Sequence, residues 1–267
     1  MTFTLKGGSS GAQYEMMLAV VVDWTDVYQC VYDAVDATSI QYTFQMPGDY
    51  GVWVYEGDEV VATTFFSVTG TDYVAARVKS IMSGCAASDD YGKALYAHDY
   101  LATHAYYDST YCYHGADNIL LNGYGVCQSF SEAYRLLMEY AGIRVRIIGS
   151  DAMCHEWNAV RLEGSMYEVD VTWDTYGFAP AGQGSPSSDC GHIYCFVSDD
   201  ILRYDHYGHS CADAVLMDCN YYVKSGDADA WMRQCLNSVL TDVWKYGEVD
   251  CAVSDYSFSI GRYDIVA

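Results

Sequence analysis

The stretch CQSFSEAYRLLMEYAGIRVRIIGS, residues 127–150, carries two periodicities in succession. From Cys127, the apolar residues Phe130, Ala133, Tyr134, Leu137, Met138 and Ala141 recur at three- and four-residue spacing, which predicts one buried helix face. Gly142 supplies the stop. From Ile143 the period changes to two, and strand patterning runs on to Val171. Upstream, Asp72 is placed to cap a helix that carries Val74, Val78, Ile81 and Met82 on one side. A second helix is predicted over Tyr91–Tyr106, with Leu95, Tyr100 and Leu101 among its apolar positions. Helices followed by an antiparallel sheet make an α+β domain.

Residues 1–70 read differently. Tyr14–Val22, Ile40–Gln45, Gly51–Tyr55 and Val60–Val68 are short runs rich in Val, Tyr, Thr and Phe. Pro47-Gly48-Asp49 and Glu56-Gly57-Asp58 between them are turn chemistry. This spacing predicts a small β-sandwich, and Met46–Val54 resembles the late strands of bacterial immunoglobulin-like modules. Gly70-Thr71-Asp72 marks the expected boundary, giving an all-β module at 1–70 and an α+β domain at 71–267. Gln183–Cys190 reads as a loop, Ala228–Lys245 as a helix, and the tail beyond as closing strands.

The chain has 267 residues, 36 of them acidic and 13 basic, for a net charge of −23. So acidic a surface repels nucleic acid and anionic lipid, which excludes both as expected partners. No apolar run approaches the ~20 residues needed to cross a bilayer, so no membrane insertion is expected. No signal peptide opens the sequence, yet 27 tyrosines, 23 glycines and few lysines favour a secreted or cell-surface bacterial protein over a cytoplasmic one. Of 11 cysteines, ten remain once one nucleophile is set aside. They fit either disulfides or buried thiols that pack as small apolar groups. No Cys-x-x-Cys pair occurs, and Cys190 with Cys195 has no matching second pair. The spacing therefore predicts no structural zinc, and no cofactor is expected.

Three residues suit nucleophilic thiol chemistry. Cys127 opens its helix, where unpaired backbone N–H groups favour a thiolate. Gly123 and Gly125 ahead of it permit a tight turn and close approach of a substrate. His155 lies 28 residues on, and Asp170 another 15. Glu163-Gly164 looks like a two-residue hairpin turn, which pairs Leu162 with Ser165 and hence Trp157 with Asp170. His155 shares the face of Trp157, so Asp170 is its diagonal neighbour, within reach of a hydrogen bond. Singly, each has a plainer reading: a structural cysteine, a satisfied polar histidine, a strand end. Their ordered co-occurrence favours a thiol–imidazole–carboxylate triad.

Here the residues resemble the transglutaminase-like superfamily in its bacterial branch, over roughly residues 72–222. His98-Asp99-Tyr100-Leu101 followed by Tyr107-Asp108 is similar to that family's leading helix. Asn118–Cys127 is similar to its approach to the nucleophile. His155-Glu156-Trp157-Asn158 and Asp170-Val171-Thr172-Trp173-Asp174 resemble its two signatures, and Tyr194–Asp199 with His206 or His209 resembles its continuation. The resemblance implies a papain-like core with Cys127 as nucleophile, His155 as general base and Asp170 as orienting carboxylate. It also implies acyl transfer or hydrolysis at protein or peptide amides through a thioester, with an amine or water as acceptor. The Cys127 backbone N–H is one expected oxyanion donor; no Gln stands in the expected place upstream for the second, leaving Asn122 and Tyr124 as candidates. Trp157, Trp173 and Tyr176 line an acyl groove or pack in the core. Gln128 stands where animal crosslinking enzymes have Trp, a departure that counts against true crosslinking. The competing function is a non-catalytic binding or scaffolding module of a surface protein.

Overall fold

A computed structural model describes residues 1–23, 27–227, 229–231, 233, 257–260 and 263–266. The first part of the chain is β structure in two sheets. Strand β1 (Thr2–Thr4) is followed by β2 (Glu15–Asp23), β3 (Val27–Ala34), β4 (Ser39–Gln41), β5 (Gly48–Glu56) and β6 (Glu59–Val68). One antiparallel sheet has the order β3-β2-β5-β6, and β1 pairs with β4 in the other. Alternation from Tyr14 into β2 turns Tyr14, Met16 and Leu18 inward, where they meet Val31, Ile40, Tyr50, Val52 and Val54. Gly51 has a packing reason: a Cβ there would come within 2.5 Å of the Trp53 ring, which lies back across it. The expected strand over Ile40–Gln45 is shorter, ending at Gln41, while β1 and β3 were not expected.

Helix α1 (Tyr73–Ser83) begins where Asp72 accepts a hydrogen bond from the Ala75 N–H, and it buries Val74, Val78, Ile81 and Met82. Helix α2 (Asp90–His104) stops two residues short of the expected Tyr106, which instead opens β7 (Tyr106–Asp108). Its buried face is Ala94, Ala97, His98, Leu101 and Ala102. A π-helical turn over Asn118–Asn122 ends at Gly123, whose φ of 78° is left-handed, and leads into β8 (Tyr124–Gly125). Helix α3 then runs over Cys127–Tyr140.

Strands β9 (Val145–Ser150), β10 (His155–Leu162) and β11 (Ser165–Val169) follow, then β12 (Phe178–Ala179) and β13 (Cys195–Val197). The sheet order is β13-β11-β10-β9, all antiparallel. Glu163 and Gly164 both have positive φ, the geometry of a type I′ hairpin, and Leu162 pairs with Ser165. One face of this sheet packs Val160, Leu162, Tyr167 and Val169 against the helices. The other carries Trp157, Ala159 and Met166 against Leu202, Cys211 and Ala214, around the short helix α4 (Asp199–Leu202). A last short helix, α5 (Tyr221–Ser225), precedes the pair β14 (Ser257–Ile260) and β15 (Tyr263–Val266). The mixture of helix and antiparallel sheet is α+β. Most of the helix expected at Ala228–Lys245 lies outside the described residues. Among the described residues, no helix is long and apolar enough to cross a membrane.

The N-terminal sheets are fastened to the segment that leads to Cys127. Val31 O accepts from the N–H groups of His114 and Gly115, and Gln128 Nε2 donates to Cys30 O at 2.9 Å. Tyr42 Oη donates to the buried Asp117 carboxylate at 2.6 Å. Burial raises the pKa of Asp117, so this hydroxyl supports its charged form. Tyr42→Phe leaves the carboxylate without that donor, and a loss of about 1–3 kcal/mol is expected in urea denaturation. A loss below about 0.5 kcal/mol would show that the contact carries no weight.

Candidate active site

Cys127 is the first residue of α3, after Val126 in extended conformation, and no side chain caps this helix start. Its thiol is 8% exposed and lies 3.9 Å from the Cys154 carbonyl oxygen. Cys154 has a φ of 49°, uncommon for a residue with a side chain, and delivers the chain into β10 at His155. His155 Nε2 lies 2.7 Å from Asp170 Oδ2, and the neighbouring Cys127 side chain favours the charged imidazole. With Nε2 committed to the carboxylate, Nδ1 is the nitrogen left for sulfur. The hairpin register places Asn158 opposite Val169; one step further, Trp157 faces Asp170, so His155 and Asp170 share a face.

Asp170 is fully buried and satisfied from both oxygens. Oδ2 faces His155 and, at 3.0 Å, His206 Nε2; Oδ1 accepts the N–H groups of Thr172 at 2.8 Å and Trp173 at 3.2 Å. Burial favours the neutral acid, but the two histidines outweigh it and hold Asp170 well below the usual carboxylate range. Burial likewise opposes a charged His155, yet Asp170 and the Cys127 side chain push it up to about 10. His206 is therefore the histidine that meets the carboxylate. His209 lies apart, 3.1 Å from Asp199 Oδ1 and 3.5 Å from Glu168 Oε2.

The remaining expected site residues divide. Trp173 is 40% exposed and lines a cleft of about 240 Å³ with Tyr107, His155, Tyr176 and Phe178. Trp157 is not a groove residue. It is 1% exposed, stacked on His155 at 5.5 Å, and its indole N–H donates to Glu168 Oε2 at 2.7 Å. Asn122 turns away from the thiol. Its amide donates to Asn118 Oδ1 at 3.2 Å, and it borders a separate hollow with Arg77 and His104. Tyr124 packs edge-on to Tyr113 at 5.0 Å and against Tyr106 at 5.8 Å. Backbone direction explains both: the π turn and left-handed Gly123 point these side chains outward before the chain reaches Cys127.

The residue that sequence reasoning missed is Tyr107. It lines the cleft together with His155, and burial with the neighbouring Cys127 thiol raises its pKa further from neutrality, so its hydroxyl stays protonated. Strand β7 brings it there by pairing in parallel with β8 and β12, which sets Tyr107 beside Gly125 and Phe178. Next to it the buried Asp108 accepts from Thr110 N, Cys112 N and Ala181 N and holds the surrounding loops. The Tyr107-Asp108 pair was visible as a motif, but its approach to Cys127 depends on a parallel pairing between distant segments. All nine cysteines among the described residues are free thiols.

Known proteins compare as follows. Residues 76–177 match a family model described as the transglutaminase-like superfamily. A solved structure described as the crystal structure of a TGase aligns at a TM-score of 0.35 and 18% identity. The alignment covers 39% of this chain and 33% of that one, so this chain spans about a third of its length. No curated protein matches.

The His155–Asp170 pair sets a pH signature on stability. His155 is raised from 6.5 to about 10 on folding, so its contribution is full below pH 6.5 and fades as the pH rises toward 10. Asp170 is lowered, so its contribution is present above 3.8 and is lost as the pH falls through its folded value. Asp170→Asn is expected to cost about 3 kcal/mol between roughly pH 5 and 6.5, and distinctly less near pH 10. Urea denaturation across that range checks it; an equal loss at every pH rejects the coupling.

Proposed function

We propose, on the premise that residues 76–177 belong to the transglutaminase-like superfamily, that this chain is a cysteine-dependent enzyme. It transfers or hydrolyses acyl groups at amide bonds of proteins or peptides through a thioester. The observation that carries this reading is the imidazole of His155, held by Asp170 at 2.7 Å and raised in pKa by that carboxylate and by the neighbouring helix-opening thiol of Cys127.

In this reading, the thiol proton already rests on His155 as an imidazolium, and the Cys127 thiolate attacks the amide carbonyl carbon. As the C–N bond breaks, His155 returns that proton to the leaving amine, and a thioester remains on Sγ. Water or a second amine, deprotonated by His155, then attacks the thioester and releases the thiol. Asp170 keeps its charge throughout, fixing the ring's tautomer and stabilising the imidazolium. The oxyanion receives the Cys127 backbone N–H and, as second donor, the hydroxyl of Tyr107, which lines the same cleft as His155. Trp173, Tyr176 and Phe178 supply an aromatic wall for the acyl side.

Two outcomes test this. Near pH 7, iodoacetamide is expected to label Cys127 faster than any of the other thiols, the exposed Cys154 included, as read by mass spectrometry. If Cys127 is no faster, and assays for amine incorporation and peptide cleavage stay silent, the chain is a scaffold and the enzyme reading falls. Tyr107→Phe is expected to lower kcat by a factor on the order of 10²–10³ with KM little changed, while Cys127 labelling persists. A Tyr107→Phe enzyme of full kcat removes Tyr107 from the oxyanion site.

A further inference from the structure

On the far side of Asp174 from the triad, four side chains of another chemistry converge. His98 and Asp99 come from α2, while Cys190 and His192 come from the loop that enters β13. One donor atom from each lies within 4.8 Å of all the others. Asp99 Oδ1 is the centre of the group: 2.9 Å from His98 Nδ1, 2.8 Å from His192 Nε2 and 4.0 Å from Cys190 Sγ. Three groups directed at a single carboxylate oxygen are the arrangement that a small cation would organise.

The donors are also oriented. The ring of His98 is wholly buried, and its Nε2 lies 3.1 Å from Asp174 Oδ2, which leaves Nδ1 for the cluster. A carboxylate on the far nitrogen is how metal-binding histidines are fixed in tautomer and angle. His192 is stacked on Tyr221 at 3.8 Å and 12°, so its ring plane is set as well. We propose that His98, Asp99, Cys190 and His192 form a structural zinc site.

Two imidazoles, a thiolate and a carboxylate are ligand types that zinc takes in tetrahedral sites, whereas magnesium and calcium require oxygen. Bonds of about 2.0–2.3 Å around one ion set its ligands roughly 3.3–3.8 Å apart, so the observed separations need only small side-chain rotations. Binding displaces the Cys190 thiol proton to solvent and involves no redox change. Four protein ligands leave no open position, so the ion serves the fold. Asp174 Oδ1 accepts from Ile193 N at 2.9 Å and Oδ2 from Tyr194 N at 3.1 Å, and Tyr194 O accepts from Asp170 N at 3.1 Å. Zinc here ties α2 and the Cys190–His192 loop to the turn that holds the catalytic carboxylate. The cysteine spacing alone gave no such expectation, because the ligands come in two pairs some 91 residues apart.

The test uses the full chain without a histidine tag, produced with zinc and analysed by elemental mass spectrometry. Roughly one zinc per chain is expected. Cobalt exchange should give the visible bands of a tetrahedral site and a thiolate-to-cobalt charge-transfer band. Both signals should disappear in Cys190→Ser and in His192→Ala, the latter a partly exposed position suited to a variant that still folds. Cys127→Ala, which removes the triad's own thiol, should retain them. Chelation should lower Tm by several degrees in the wild type and leave His192→Ala unmoved. No bound zinc in the wild type overturns the proposal. So does zinc retained in both cluster variants, which would put it at the Glu168–Asp199–His209 or the His155–Asp170–His206 trio, or zinc lost in Cys127→Ala.

Discussion

The charge of Asp170 is the constraint on which the rest of the site depends. A carboxylate removed from water must be neutralised and hydrogen-bonded, or it takes up a proton. Four donors keep it ionised, and they come from three places: His155 at the start of β10, His206 beyond α4, and the backbone of Thr172 and Trp173 in its own turn. The two histidines alone are 51 residues apart in sequence, so meeting this single requirement fixes the hairpin, the turn after it and the loop over the sheet at once.

The same device recurs. Asp174 is held by His98 and two backbone N–H groups, Asp108 by Thr110 and the backbone of Cys112 and Ala181, and Asp117 by Tyr42. A chain with 36 acidic residues and 13 basic ones has few cations to spend inside. Histidine, tyrosine and backbone N–H take that part. These carboxylates act as ties between segments: Asp117 joins the N-terminal sheets to the approach to Cys127, Asp108 supports the strand that carries Tyr107, and Asp174 joins α2 to β13.

Much of the fold was legible where one element buries one face. The spacing from Phe130 to Ala141 reads directly as the buried side of α3, and Gly142, at a φ of 75°, ends it as expected. The Glu163-Gly164 turn was equally legible, because a two-residue turn with positive φ fixes register with no further information. Strand β3 escaped notice: Val27–Ala34 interrupts its apolar positions with Gln29 and Asp33 and has a register shift against β2. Asn122 and Tyr124 were drawn toward the thiol by proximity in sequence, but a π turn and a left-handed glycine rotate their side chains away.

By itself the sequence determined the local elements, the shared face of His155 and Asp170, and the helix start that presents Cys127, since period and turn chemistry act over a few residues. Only the tertiary structure decided that Tyr107 reaches Cys127, that Trp157 is core while Trp173 faces the cleft, and that His206 meets Asp170 while His209 does not. It also brought His98 and Asp99 to Cys190 and His192. These outcomes depend on pairings between distant segments, and on how buried carboxylates find their donors, a condition met by the packed chain as a whole.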